Sequence, residues 1–400
     1  MVIDSLVLMV AFAGHIAMGV GFFNQMNSAW LPPHSVHRLE RATMLQTAIL
    51  PLVVLIILLV LPGSARSSGH FLPKVIGAAP WSWLWLYLAP CALFGALSGC
   101  RWLWNRIQNR APNELLSKKT IAIERVELHI HEPLVRGAFG FIAGLPGNES
   151  LQIRVEEKCI KLPRWPQELD AFRIVHLSDL HINGRIGRRF FRRAIELVRE
   201  LSPELVVISG DICEQDECVP WLDEFSAISP SCGAFFVLGN HDLRVSHSRV
   251  IRSRLTANGL IDLGGRWITH APRGVPVLIA GNELPWFAPA APMERCPREI
   301  DGKRPPRIVV SHSPDQLLWA RSFDADLMLA GHTHGGQIRL PWIGPLVAPS
   351  RFGVKYASGE FFEHPTFMHV SRGLSSLQPL RYGCPPEISL LVVNSPSSFG

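Results

Sequence analysis

The chain has 400 residues, a formal net charge of +6 and 48% hydrophobic residues, with a mean hydropathy of +0.18. That length holds more than one domain and a large core, and the apolar excess is concentrated near the N-terminus. Much of the basic charge lies beside apolar segments, the signature of membrane topology and not of a nucleic-acid footprint, so nucleic acid is not an expected partner.

The 8 cysteines form no Cys-x-x-Cys pair, and several sit inside apolar runs. They read as scattered reduced thiols, with Cys213 and Cys218 as packing residues, and not as a disulfide frame or a zinc cluster.

Three apolar segments follow one another, residues 5–23, 42–61 and 81–99. Each is close to the roughly 20 residues that cross a bilayer as a helix. The first contains no Lys, Arg, Asp or Glu, and it lacks the basic start and the small-residue cleavage pattern of a signal peptide. Three spans are expected. The third is opened by Trp81, Trp83 and Trp85.

Arg38 and Arg41 follow the first segment, and Arg101, Arg106, Arg110, Lys118 and Lys119 follow the third, whereas the loop between the second and third offers Arg66 and Lys74. The positive-inside rule then places the C-terminal part in the cytoplasm. His15, inside the first segment, reads as a neutral histidine packed on a neighbouring helix. The expected organisation is a transmembrane region over residues 1–104, a linker with N-terminal strands over 105–171 and a soluble domain over 172–400.

Residues 105–119 are polar and read as a linker along the membrane surface, followed by alternating strands at 120–130 and 151–160. The Gly-rich apolar stretch 137–147 reads as a loop or a flap near the bilayer. Beyond Phe172 short buried runs alternate with polar loops: strands at 174–177, 205–209, 235–238, 277–280, 308–310, 327–330, 367–370 and 388–393, and helices at 188–201 and 246–258. This is an α/β pattern, in which chemistry gathers at the C-terminal ends of strands. The Pro-rich residues 285–306 read as a surface excursion.

Five of these strand ends carry metal-type ligands: Asp179 and His181, then Asp211, then Asn240, His241 and Asp242, then His312, then His332 and His334. Singly each has an ordinary explanation, a turn cap or a satisfied core histidine. Together they match a site for two divalent cations, which needs several ligands per ion and a bridging carboxylate. Oxygen and imidazole donors without thiolate suit Mn, Fe or Zn, with Mn favoured.

The order Asp-x-His, Gly-Asp, Gly-Asn-His-Asp, His and Gly-His-x-His resembles the calcineurin-like metallophosphoesterase superfamily over residues 172–393. The resemblance implies a four-layer α/β sandwich of two mixed sheets flanked by helices. It also implies ligand sets: Asp179, His181, Asp211 and His334 for one ion, and Asp211, Asn240, His312 and His332 for the other. His241 would protonate the leaving oxygen, with Asp242 orienting it.

The stretches from His334 to Pro341, from Ser371 to Leu374 and from Pro386 to Ile388 resemble the membrane-associated bacterial branch of this superfamily. That branch includes a UDP-2,3-diacylglucosamine pyrophosphatase of lipid A synthesis. The resulting expectation is a multi-pass enzyme of the bacterial inner membrane. It would hydrolyse a phosphodiester or pyrophosphate bond of a lipid-linked substrate, UDP-2,3-diacylglucosamine or a phospholipid. Arg372 and Arg381 are candidate phosphate contacts. Two alternatives stand beside it: action on a soluble nucleotide, phosphodiester or phosphoprotein, and a non-enzymatic membrane scaffold.

Overall fold

Parallel strands with both faces covered dominate the C-terminal part of the molecule, and their apolar runs are the ones legible in the sequence. The computed structural model describes residues 2–29, 33–60, 84–108, 111–126, 135, 137 and 139–396. Leu61, Arg66, Lys74, Trp81, Trp83, Arg110, Leu128, Ile130 and Ala138, on which parts of the membrane, strand and flap expectations rest, lie outside them. The chain divides into two compact units, Met1–Arg110 and Ala111–Gly400.

The first unit contains helices α1 (Val2–Ser28), α2 (Pro33–Val60) and α3 (Leu84–Gln108). Among the described residues two segments, Leu6–Ser28 and Leu84–Ile107, are long and apolar enough to cross a membrane, and α2 contributes a shorter apolar segment, Arg41–Ile56. Helices α1 and α3 meet through glycine: a Cβ on Gly14 would lie 1.8 Å from the Cys91 carbonyl oxygen, and one on Gly95 2.4 Å from that of Val10. Small residues allow this backbone approach, as in packed membrane helices. His15 is buried beside the Tyr87 ring and 3.4 Å from the Gln46 carbonyl oxygen.

The second unit is built on two mixed sheets. The first runs in the order β1 (Leu115–Arg125), β2 (Gln152–Lys161), β15 (Glu387–Asn394), β3 (Phe172–Leu177), β4 (Leu205–Ser209), β5 (Ala234–Val237) and β6 (Ile261–Asp262). The second runs β13 (Gly359–Glu363), β14 (Thr366–Val370), β10 (Leu327–Ala330), β9 (Arg307–Ser311), β8 (Val277–Asn282) and β7 (Trp267–His270). Strands β3 to β6 are parallel, as are β8, β9, β10 and β14, while β1, β15, β7 and β13 contribute the antiparallel pairings.

Alternation splits each strand between two cores. Ile174, Val207 and Val237 meet Ile279, Val310 and Leu329 between the sheets. Val175, Leu177, Val206 and Ile208 pack outward under the helix Arg188–Glu200, with Phe190, Ala194 and Val198. On the far face Val309, Met328 and Val370 pack against Leu317 and Ala320 of the helix Leu317–Ser322. The result is the expected sequence of helix, sheet, sheet and helix layers.

Two expectations are corrected. The first strand begins at Leu115 and not at Thr120, because β2 offers an antiparallel partner from Gln152 to Ile160, so residues 115–119 are strand and not linker. The Pro-rich segment 285–306 is not wholly a surface excursion: Trp286, Ala291, Met293 and Cys296 return to the interior.

The inter-sheet core turns polar near the strand ends. Lys158, 1% exposed, donates to Glu387, to Ser389 Oγ at 2.9 Å and to His369 Nε2 at 2.7 Å. His369 Nδ1 lies 2.8 Å from His176 Nδ1, and His176 Nε2 lies 2.8 Å from Ser209 Oγ. Burial, and then the Lys158 ammonium, hold both imidazoles neutral, His176 falling to about 3 and His369 well below its usual value. One order of protons satisfies the row: Lys158 donates to His369, His369 Nδ1–H to His176, and His176 Nε2–H to the Ser209 hydroxyl.

Removing Lys158 takes from the buried Glu387 the cation on its Oε1 and leaves it Arg372 and the Ser389 hydroxyl. Lys158→Ala is expected to cost about 3–5 kcal/mol, read as a lowered thermal unfolding midpoint of the detergent-solubilised chain. Lys119→Ala, which removes only an exposed ion pair to Glu157, is expected to leave the midpoint nearly unchanged.

Candidate metal centre

Because β3, β4 and β5 are parallel in one sheet and β9 and β10 in the other, their C-terminal ends deliver their following residues to a common edge. Asp179 and His181 follow β3, Asp211 follows β4, Asn240, His241 and Asp242 follow β5, His312 follows β9, and His332 and His334 follow β10. The turns lock onto one another through the backbone: Asp179 N–H donates to the Gly210 carbonyl, His181 N–H to that of Asp211, and Gly331 N–H to that of His312.

Tight turns at strand ends force unusual conformations. Asp179, His181, Asp211, His332 and His334 all have positive φ, between 43° and 71°. Strain of this kind clusters at functional sites, at a cost of order 1–3 kcal/mol per residue. Two glycines make the approach possible. A Cβ on Gly331 would stand 1.7 Å from Ser178 Oγ, and one on Gly239 2.3 Å from Asp211 Oδ1.

Ligand-type atoms of Asp179, His181, Asp211 and His334 lie within 4.8 Å of one another, and so do those of Asp211, His312 and His332. Asn240 Oδ1 joins the second group, 3.1 Å from His312 Nε2. Asp211 belongs to both. Its Oδ1 accepts from the His241 backbone N–H at 2.8 Å. Its Oδ2 lies 3.2 Å from His312 Nε2, 3.6 Å from His181 Nε2 and 4.0 Å from His241 Nε2, and accepts no hydrogen bond.

The tautomers follow from the opposite ring nitrogens. His312 Nδ1–H donates to the Ser209 carbonyl at 2.8 Å, His334 Nδ1–H to that of Ser375 at 3.2 Å, and His181 Nδ1–H to the Glu214 carboxylate. The Nε2 lone pairs therefore converge, those of His181 and His334 being 3.0 Å apart. His332 Nδ1 lies 3.1 Å from His312 Nε2. Converging lone pairs around a buried carboxylate oxygen, with the outer nitrogens tied to acceptors, are the donor set of divalent transition-metal sites. The residues fit two such ions sharing Asp211. Cys213 is not a donor here: its thiol faces the Gln215 carbonyl at 3.4 Å. Trp286 walls the second group, its ring centroid 4.8 Å from that of His332.

The seven expected ligands are thus brought together, but three other expectations are corrected. Asp242 does not orient His241: its carboxylate accepts from the backbone N–H groups of Ile212, Cys213 and Gly239 at 2.8–2.9 Å. Burial and the neighbouring Asp211 push that carboxyl up to about 7. It ties the turn after β5 to the turn after β4.

The carboxylate facing the His241 ring is Glu214, whose Oε1 is 3.6 Å from His241 Nδ1 and also bonds His181, while Oε2 accepts from Arg244 at 2.8 Å. Burial pushes Glu214 up, but the facing imidazoles of His181 and His241 outweigh it and hold the carboxylate ionised. Sequence reasoning missed Glu214. Its signal was position alone, three residues beyond Asp211 in a loop returning past the site.

Arg372 and Arg381, expected to offer charge to a phosphate, are engaged internally. Arg372 donates to Glu387 at 2.7 Å and to Glu156 at 2.6 Å. Arg381 is fully buried and donates to the carbonyls of Arg372, Ser375 and Cys384. They brace the loop whose Ser375 carbonyl orients His334.

A two-sheet α/β sandwich whose strand ends gather carboxylates and imidazoles around a shared aspartate defines a metal-dependent hydrolase of phosphate esters. The chain belongs to the calcineurin-like metallophosphoesterases: the family model described as Calcineurin-like phosphoesterase matches residues 172–336. It is 30% identical over 271 residues to the metallophosphoesterase YkuE of Bacillus subtilis, covering 65% of this chain and 91% of that one. It is 29% identical over 225 residues to the phosphodiesterase YaeI of Escherichia coli, covering 55% and 81%. It is 26% identical over 285 residues to the UDP-2,3-diacylglucosamine pyrophosphatase LpxG of Chlamydia muridarum, covering 58% and 86%.

Glu214→Gln weakens the hold on His181 while keeping its size. It is expected to lower metal affinity by about 10–100-fold, measured by competition with a chelator. An affinity equal to that of the parent chain would remove Glu214 from the site.

Proposed function

We propose that this chain is a membrane-anchored phosphoesterase that hydrolyses a phosphodiester or pyrophosphate bond of a lipid-linked substrate at the cytoplasmic face of a bacterial inner membrane. The observation that carries the hydrolase part is the shared Asp211, with one ligand group on each side and the His241 ring at its Oδ2. In this reading Asp179, His181, Asp211 and His334 hold one ion, and Asp211, Asn240, His312 and His332 hold the other. Two bound divalent ions, with manganese favoured, supply Lewis acidity and an activated water for in-line attack on phosphorus.

The chain's own residues do the rest. His241, held against Glu214, holds a proton at Nε2 for the leaving oxygen. Asp242 fixes the turn that carries it. Trp286 keeps water from the back of the second ligand group.

The anchor and the substrate have separate support. The two long apolar helices, with Arg101 and Arg106 near the end of α3, favour an anchored chain with the hydrolase on the positive side. Residues 1–104 would form the membrane region and 172–400 the catalytic domain, with 105–171 between them supplying β1 and β2. The similarity to the UDP-2,3-diacylglucosamine pyrophosphatase LpxG favours a nucleotide-linked lipid pyrophosphate as substrate.

Detergent-solubilised chain with Mn²⁺ is expected to hydrolyse bis-p-nitrophenyl phosphate, and to turn over UDP-2,3-diacylglucosamine or a phospholipid with a higher kcat/KM. No release from any phosphoester would sink the enzyme reading, while equal or better turnover of soluble substrates would sink the lipid part alone. His241→Asn is expected to lower kcat by roughly 10²–10⁴-fold with the bound metal retained, read by elemental analysis beside the rate.

A further inference from the structure

The segment that leaves the last histidine of the metal centre turns outward into a small hairpin that belongs to neither large sheet, β11 (Arg339–Leu340) and β12 (Gly344–Pro345). Its base is firm. Arg339 N–H donates to the Tyr382 carbonyl at 2.9 Å, Tyr382 N–H to that of Gln337 at 3.0 Å, and the Arg339 guanidinium to Ser358 Oγ at 3.0 Å. Gly336 is packed so closely that an added Cβ would stand 2.5 Å from Pro345 Cβ.

The tip is apolar and open to water. Trp342 is 86% exposed and Leu346 50% exposed. Tyr382 links this hairpin to a second apolar edge: its hydroxyl donates to the Pro146 carbonyl at 3.2 Å, at the end of the stretch that presents Phe141, 78% exposed. Large exposed aromatic side chains on a rigid support mark interaction surfaces.

Charge identifies the partner. Residues 338–346 carry a single charge, Arg339, and residues 137–147 carry none, while Lys355 behind them is paired with Glu363 and Arg351 with Asp315. An apolar tip with a Trp, one Arg beside it and no carboxylate in the hairpin matches the interface of a bilayer: aromatic rings at headgroup depth, a basic side chain at anionic phosphates. The same chain carries two helices long enough to span that bilayer.

We propose that the β11–β12 hairpin, together with the Phe141 edge, is a membrane-docking lip that seats Trp342 in the interface of an anionic phospholipid bilayer. The lip begins only five residues after His334, so docking it brings the metal centre to the lipid surface. The purpose of the lip rests on the membrane-anchored phosphoesterase reading; its chemistry does not.

The test uses the full chain in nanodiscs of phosphatidylglycerol and phosphatidylcholine, with photoreactive benzoylphenylalanine in place of Trp342 or, as a control, of the exposed Val250 on the helix Ser248–Ala257. After irradiation, mass spectrometry is expected to find lipid adducts at position 342 and none at 250, with the 342 yield falling in discs of phosphatidylcholine alone. No adduct at 342, or equal adducts at both positions, overturns the proposal. A chain-to-chain cross-link at 342 in place of lipid assigns the face to a second copy and also overturns it. Hydrolysis of bis-p-nitrophenyl phosphate in the same discs separates the two readings. Retained hydrolysis without adducts counts against the lip alone, and adducts without hydrolysis support the lip while counting against the proposed activity.

Discussion

Much of the second unit's architecture turns on one oxygen. Asp211 Oδ2 is fully buried, accepts no hydrogen bond and faces the Nε2 atoms of three histidines. A carboxylate withdrawn from water is costly unless positive charge or donors meet it. Here burial raises the carboxyl, but positive charge on His312 and then on His241 outweighs it and holds it below the usual carboxylate range, the part a bound cation would take where those rings keep their Nε2 lone pairs. Every neighbouring turn is shaped to bring an imidazole or a carboxylate to that point. The two sheets must therefore meet at their C-terminal edges and not merely pack face to face.

The residues that meet at the candidate centre were legible because donors at strand ends are announced by what precedes them. The runs 174–177, interrupted only by His176, 205–208 and 327–330 are apolar, and each stops at Ser or Gly before the first donor. Side-chain partners were less legible. Asp242 stands beside His241 in the chain, but adjacent residues in a tight turn diverge, and its carboxylate finds backbone N–H groups across the gap to the turn after β4. Glu214 reaches the same imidazole from a different turn, and sequence spacing gives no measure of that distance. Arg372 and Arg381 looked available because they lie in a polar loop. The partners of Arg372, Glu156 and Glu387, come from β2 and β15, strands far apart in the chain and paired only in the fold, while Arg381 is taken up by backbone carbonyls of its own loop. The short strands β6, β7, β11 and β12 have too few residues for any period to show.

The histidines outside the ligand set explain why the inter-sheet core is not uniformly apolar. His176 and His369 each sit in a strand whose neighbours are hydrophobic, which makes them look like filler. In the fold they cross the sandwich from β3 to β14 and end on Ser209, whose hydroxyl serves His176 while its carbonyl serves His312. One serine thus belongs both to the packing of the two sheets and to the orientation of a candidate ligand. A disturbance at Lys158 has a short physical route to the candidate metal centre.

The left-handed backbone of Asp179, His181, Asp211, His332 and His334 constrains what the site can become. Among side chains other than glycine, Asp, Asn and His enter that region most readily. The residue types that the turns tolerate are thus the same oxygen and imidazole donors that suit hard and borderline cations. Backbone geometry and coordination chemistry filter the same positions independently, and cysteine is disfavoured by the first before the second is consulted. The centre is therefore insulated against drift toward thiolate ligation.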